Sequence, residues 1–208
     1  MNAKSVNLYG HYLSISSCKV GLMLSMGGTA HSYHHVDLMK GAQKEPAFQT
    51  LNRFAQVPAI VHAKKTIVQS DVILVYLAEQ FAALDGGTEE ERLGVREWLC
   101  WQADRLWNIT RARSQIKFQN GEPAVVEQLL NASRDALGVL DAHLKSVEFV
   151  ACDVPTIADV ACYTVIAHAA DAELDISDWP AVAAWHSRMA ARDGCGDLDE
   201  IMPREDRA

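Results

Sequence analysis

The spacing of apolar residues changes along the chain and separates two halves. Val6, Leu8 and Tyr9 form a short β-branched and aromatic run closed by Gly10, which reads as a strand. Between residues 17 and 26, Val20, Leu22, Met23, Leu24 and Met26 suit a mostly buried helix that Gly27 and Gly28 stop. Residues 33–38 read as a second strand, one helix after the first, so the two are expected to run parallel. A short amphipathic helix follows over 45–54. Residues 59–62 and 66–68 read as strands separated by a hairpin-sized break, and are therefore antiparallel. Over 70–83 the stripe of Val72, Ile73, Val75, Tyr76 and Leu77 predicts a helix with Ser70 as its N-cap.

Residues 84–88, rich in glycine, form the one composition break that looks like a linker. Helical spacing holds beyond it. One long segment is expected over 89–118, a second from Pro123 to about 145, a third over 156–171 and a fourth over 180–192. Thr156 and Asp159 have the spacing of a capping box and are read as structural. The tail from Gly194 is polar and expected to be loosely held. The pattern thus predicts an α/β domain over 1–83, a linker over 84–88 and an all-helical domain over 89–208.

Composition narrows the functions open to such a chain. Its 208 residues, 49% of them hydrophobic, are enough to bury a substantial core. A formal charge of -8 argues against binding nucleic acid through its phosphates. No stretch approaches the roughly 20 apolar residues that cross a bilayer, so no membrane association is expected. The first residues lack the pattern of a secretory signal. Cys18, Cys100, Cys152, Cys162 and Cys195 are scattered and odd in number, which reads as reduced thiols in a cytoplasmic protein without a metal site. His34 and His35 are neighbours on a strand and point to opposite faces, so they are not expected to chelate together.

Three places carry candidate chemistry. Pro58 stands where a strand begins, and a cis bond after Val57 would turn the backbone N–H and C=O of Val57 outward to pair with an extended peptide. Gln69 and Ser70 open a helix, whose free N–H groups attract a carboxylate. Ser14 precedes the first helix, where a hydroxyl and the helix N-terminus together favour a bound thiolate. Taken singly, each has an ordinary reading as an edge proline, an N-cap or a turn serine.

Together with their neighbours these residues resemble the cytosolic glutathione transferases of bacterial, serine type. The matching segments are Leu8-Tyr9-Gly10, Ser14 with Lys19-Val20, and Asn52 through Pro58. Gln69 through Glu79, Pro155 through Asp159, and Trp179 through Arg192 complete the set in the same order. The resemblance implies a thioredoxin-like N-terminal domain, an all-α C-terminal domain and a homodimer. It also implies conjugation of the glutathione thiolate to a small hydrophobic electrophile, with Ser14 as the catalytic hydroxyl and no metal. Glutathione would meet Gln56, Val57 and Pro58 with its cysteinyl backbone, Gln69 and Ser70 with its γ-glutamyl end, and Gln43 and Lys44 with its glycyl carboxylate. Tyr12, Trp107, Arg111 and Phe118 would line the electrophile pocket. Arg53, Ala55 and Gln43 depart from the family pattern, where proline, glycine and histidine are usual. Two alternatives stay open: disulfide or peroxide reduction with Ser14 assisting or Cys18 taking part, and a non-catalytic scaffold. Tyr9 is expected in the core, and Cys18 as a small buried side chain.

Overall fold

The structure, a computed structural model, describes residues 5–206. The chain forms two compact units, Met1–Ala83 together with Arg192–Ala208, and Leu84–Ala191. The first is a thioredoxin-like unit with elements β1 (Val6–Gly10), α1 (Ile15–Met26), β2 (His31–His35), α2 (Pro46–Leu51), β3 (Ala59–His62), β4 (Lys65–Val68) and α3 (Ser70–Phe81). Its four strands run in the order β2-β1-β3-β4. β1 and β2 are parallel and β3 and β4 antiparallel, as the spacing of the runs predicts, and β3 is also antiparallel to β1. Val6 and Leu8 are wholly buried, and α1 packs on α3 through an interior that includes Val20, Leu22, Ile73, Leu74 and Leu77.

Several boundaries differ from the expected ones, each for a local reason. α1 starts at Ile15 because the Ser14 side chain already accepts from the Ser17 N–H. β2 ends at His35 because its partner β1 ends at the facing Gly10. α2 ends at Leu51, since Asn52 is extended and its side chain takes over the neighbouring backbone groups. The N-cap of α3 is Gln69, with φ +72°, so Ser70 is its first helical residue rather than its cap.

The tail is the largest departure. Residues 192–208 belong to the first unit, not to the helical one, and a short helix α9 (Leu198–Ile201) lies on α1. Met202 is 1% exposed. A side chain on Gly21 would meet its Sδ at 2.6 Å, which explains a glycine in mid-helix, where it costs about 1 kcal/mol against alanine. The polar composition of the tail concealed this apolar anchor.

The second unit holds α4 (Glu89–Trp101), α5 (Asn108–Ser114), α6 (Pro123–Leu144), α7 (Ile157–Ile166) and α8 (Pro180–Ala190). The long helix expected over 89–118 is continuous in path but widened by π-helical turns at Gln102–Leu106 and Gln115–Gln119. α7 stops at Ile166, and a 3₁₀ turn at Ala169–Ala172 covers the remainder of its expected length. Among the described residues no helix is long and apolar enough to cross a membrane.

The capping box is present and forms the polar centre of this unit. Asp159 is wholly buried and accepts from the Val150 N–H at 2.8 Å, the Thr156 N–H at 2.9 Å, the Thr156 hydroxyl at 3.1 Å and the Trp185 indole at 2.9 Å. Burial pushes its carboxyl up, and the four donors pull it back. Removing the acceptor strands those donors in the interior. Asp159→Ala is therefore expected to lower the unfolding free energy by about 3–5 kcal/mol, read by urea denaturation.

Candidate active site

Sheet register gathers the predicted residues at one end of the first unit. Tyr9 faces Ala59, Ala59 also faces Val68, and Gly10 faces His35. Four segments therefore leave or enter the sheet at that end. They are the loop from Gly10 to Ser14, the approach through Pro58, the exit to Gln69, and the connection from His35 to Gln43 and Lys44.

Ser14 caps α1, its Oγ accepting from the Ser17 N–H at 3.2 Å. An oxygen held as acceptor in this way keeps its own proton for a further partner. The N–H groups of the first turn add a positive field at the same point. Ser17, wholly buried, also accepts the His11 N–H at 3.3 Å, so it pins both ends of the loop.

The Val57-Pro58 bond is cis, as expected. The approach to it is organised by Asn52, which the motif match included without giving it a role. The buried Asn52 amide donates to the Gln56 C=O at 2.6 Å, and its oxygen accepts the Phe54 N–H at 3.0 Å. Ala55 occupies the left-handed region with φ +52°, which is why the family pattern has glycine at that position. Arg53, in place of the usual proline, turns its guanidinium over the Phe54 ring at 4.4 Å.

At the start of α3, Ser70 is half-buried and Gln69 exposed. The positive φ of Gln69 is a conformation that side-chain-bearing residues rarely adopt, and such positions concentrate at functional sites. Asp71, in the first turn, accepts a 3.0 Å bond from Lys19, whose side chain is only 2% exposed. That ion pair ties the second turn of α1 to the first turn of α3. On the connection after β2, Lys44 is exposed and its C=O accepts from Gln49 at 2.7 Å. The buried oxygen of the Gln43 amide has no partner among the described residues. Because the two ends of an amide are isosteric, Gln43 could equally offer its NH₂ to an anion there.

Comparisons with known proteins bear on this arrangement. Residues 4–79 match the family model for the glutathione S-transferase N-terminal domain, and residues 102–193 that for the C-terminal domain. Glutathione S-transferase F9 of Arabidopsis thaliana is 35% identical over 171 residues, 75% of this chain and 77% of its own. The chain belongs to the glutathione S-transferase family.

Other members differ in their assigned chemistry. The disulfide-bond oxidoreductase YfcG of Escherichia coli K12 is 26% identical over 187 residues, 86% of this chain and 87% of its own. The glutathione transferase URE2P6 from Phanerochaete chrysosporium, solved in complex with oxidized glutathione, superposes with a TM-score of 0.86 at 25% identity, covering 95% of this chain and 96% of its own.

The remaining family positions fall as follows. Cys18 is buried, with its thiol 3.6 Å from the Tyr12 C=O, as expected of a small packed side chain. Tyr9 is not in the core. It is half-buried, stacks on His34 at 4.6 Å and lines a cleft of about 720 Å³ with Phe48 and Leu51, because residue alternation on β1 sends it to the face opposite Val6 and Leu8. Tyr12 is half-buried and stacks on His11 at 4.5 Å. In the second unit Trp107 is half-buried, whereas Phe118 is exposed and so is Arg111, bonded to Asn108 at 3.2 Å.

His34 and His35 do diverge, but His35 finds company that single-strand reasoning missed. Ligand atoms of His11, His35 and Asp37 lie within 4.8 Å of one another. Two of the three already accept hydrogen bonds. His11 Nδ1 accepts the Leu13 N–H at 3.1 Å, which puts the proton of the neutral ring on Nε2, and Asp37 accepts from Met39 and Lys40. Burial, together with nearby His35, lowers the His11 pKa and favours that neutral form.

Two stability measurements test this geometry. Asp71→Ala leaves Lys19 charged and enclosed, with an expected loss of about 3–5 kcal/mol. Lys19→Met keeps the packing and strands only the partly exposed Asp71, with a loss of about 1 kcal/mol or less; equal losses would count against the burial asymmetry. At the loop, Ala55→Gly is expected to raise the unfolding free energy by about 1 kcal/mol, since it relieves the left-handed alanine.

Proposed function

We propose that the protein is a glutathione transferase that conjugates the glutathione thiolate to small hydrophobic electrophiles. The observation that carries the reading is the state of Ser14. Its Oγ is occupied as an acceptor at a helix N-terminus, so its proton is the group available to a ligand's sulfur. In this reading the cysteinyl backbone of glutathione pairs with Val57, beside Gln56 and cis-Pro58. Its γ-glutamyl end meets Gln69, Ser70 and the free N–H groups of α3. Its glycyl carboxylate meets Lys44 and Gln43.

The reaction then follows from electrostatics. The Ser14 hydroxyl and the α1 N-terminus stabilise the thiolate against the thiol, whose unperturbed pKa is about 8.5. The thiol proton leaves to solvent. The sulfur lone pair attacks the electrophilic carbon, a C–S bond forms, and the leaving group departs with its electron pair. Tyr12, Trp107, Arg111 and Phe118 are proposed to line the electrophile's pocket. The nucleophile is the co-substrate's own sulfur, so the scheme draws on no metal. The protein is proposed to act as a cytoplasmic homodimer.

The similarity to a disulfide-bond oxidoreductase favours a second reading, in which the same thiolate attacks a disulfide instead of a carbon. Relative turnover of an aryl halide and a low-molecular-weight disulfide separates the two. For either, Ser14→Ala is expected to lower kcat about a hundredfold, the scale of losing one preorganised donor. Retention on immobilised glutathione should persist. Unchanged turnover would remove Ser14 from the mechanism.

A further inference from the structure

We propose that the C-terminal segment 198–206 is a positioning element of the thiol site, with Met202 as the residue that holds the Ser14 loop in its donating geometry. The inference rests on the reading of Ser14 given above.

Met202 occupies the space that side chains on two glycines would need. A Cβ on Gly10 would lie 3.0 Å from Met202 Cε and 3.1 Å from the Ser17 side chain, and one on Gly21 would lie 2.6 Å from Met202 Sδ. The end of β1 and the middle of α1 therefore both abut one buried thioether, and Ser17 borders the same space over Gly10 from the other side. Ser17 is the residue that donates its N–H to Ser14 Oγ and accepts the His11 N–H. Met202 thus fills the space next to the residue that makes both bonds.

The tail is fastened beyond Met202 as well. The Arg204 guanidinium lies 5.1 Å from the centre of the Tyr12 ring, two residues from Ser14. The Asp206 carboxylate accepts the His35 N–H at 2.6 Å on the edge strand. Upstream, Gly194 (φ +77°) passes so close to α1 that a Cβ there would lie 2.7 Å from the Ser25 C=O. The tail thus lies against the Ser14 helix at Ser25, through Gly194, and at Gly21, through Met202, and it meets the Ser14 loop at Tyr12.

Removing the thioether opens a void behind Ser17, and the loop relaxes into it. A relaxed Ser17 no longer fixes the Ser14 hydroxyl, so the thiolate loses part of its stabilisation while the peptide contacts of glutathione remain. The measurement is the pKa of the thiol bound to the full chain, read from the ultraviolet absorbance of the thiolate, with glutathione Kd by calorimetry beside it. Met202→Ala is expected to raise that pKa by about one unit, a tenfold loss of thiolate at fixed pH below it, with Kd, measured at a pH below both pKa values where the bound thiol is protonated, changed less than about twofold. Met202→Leu, which restores the volume, is expected to return the pKa to near its original value.

Gly21→Ala provides a second route that does not depend on weakening the fold. It improves helix propensity yet drives its methyl into the Met202 sulfur, so the same pKa rise is expected, together with faster tryptic cleavage at Arg204. If both variants keep the bound-thiol pKa of the unaltered chain, the tail has no positioning role and the inference fails alone. If the unaltered chain binds no glutathione, the reading of the site fails and carries this inference with it.

Discussion

A lysine enclosed in the interior must be neutralised nearby, and Lys19 meets that demand through Asp71. This constraint governs the first unit. Lys19 lies in the second turn of α1 and Asp71 in the first turn of α3, so their 3.0 Å bond fixes how far one helix slides along the other. Apolar packing between Leu22, Leu24, Leu74 and Leu77 tolerates small slips, whereas a buried charge does not. The consequence is that the N-termini of two helices, one carrying Ser14 and the other Ser70, open at the same end of the sheet. A thiolate and a carboxylate of one ligand can then be held by two helix dipoles in fixed relation.

The sheet supplies the rest of that end through register. Because Ala59 pairs with Tyr9 on one side and Val68 on the other, the cis-Pro58 turn lies between the Ser14 loop and Gln69. Asn52 then shapes the turn from within by binding both Phe54 and Gln56. Ala55 and Gln69 hold positive φ values on either side of β3 and β4, so the unit carries backbone strain at the two places that approach the site. The second unit has its own fixed point in Asp159, where one carboxylate joins α7, the segment at Val150 and Trp185 of α8.

What the sequence disclosed and what it concealed divide along a physical line. The parallel β-α-β unit, the antiparallel hairpin and the capping box follow from periodicity and local chemistry, which are properties of short segments. Val57, Pro58, Gln69 and Ser14 were legible for the same reason, as residues at element boundaries. Apart from the local bonds of Asn52, the contacts that sequence reading missed join distant positions. Lys19 with Asp71, His11 with His35, and Met202 with Gly10 and Gly21 are pairings that no local pattern encodes. Gly21 did leave a trace, since a glycine in mid-helix asks what stands against it. The tail hid its role because its buried side chains, Cys195 and Met202, stand in a stretch rich in charged residues.

The chemistry open to the site turns on the difference between an oxygen and a sulfur at position 14. A cysteine capping α1 would itself ionise, attack a disulfide and become covalently engaged. A serine hydroxyl, far more basic when deprotonated, serves as a donor and leaves the ligand's sulfur as the nucleophile. Cys18 does not supply the missing thiol, because it is buried and directed at the Tyr12 C=O. Under the proposed function, transfer to carbon and exchange with a disulfide begin from one species, a glutathione thiolate held by Ser14, and diverge only at the electrophile. In the proposed reading the choice between them belongs to the acceptor pocket, while every element of the first unit, the tail included, serves the step they share.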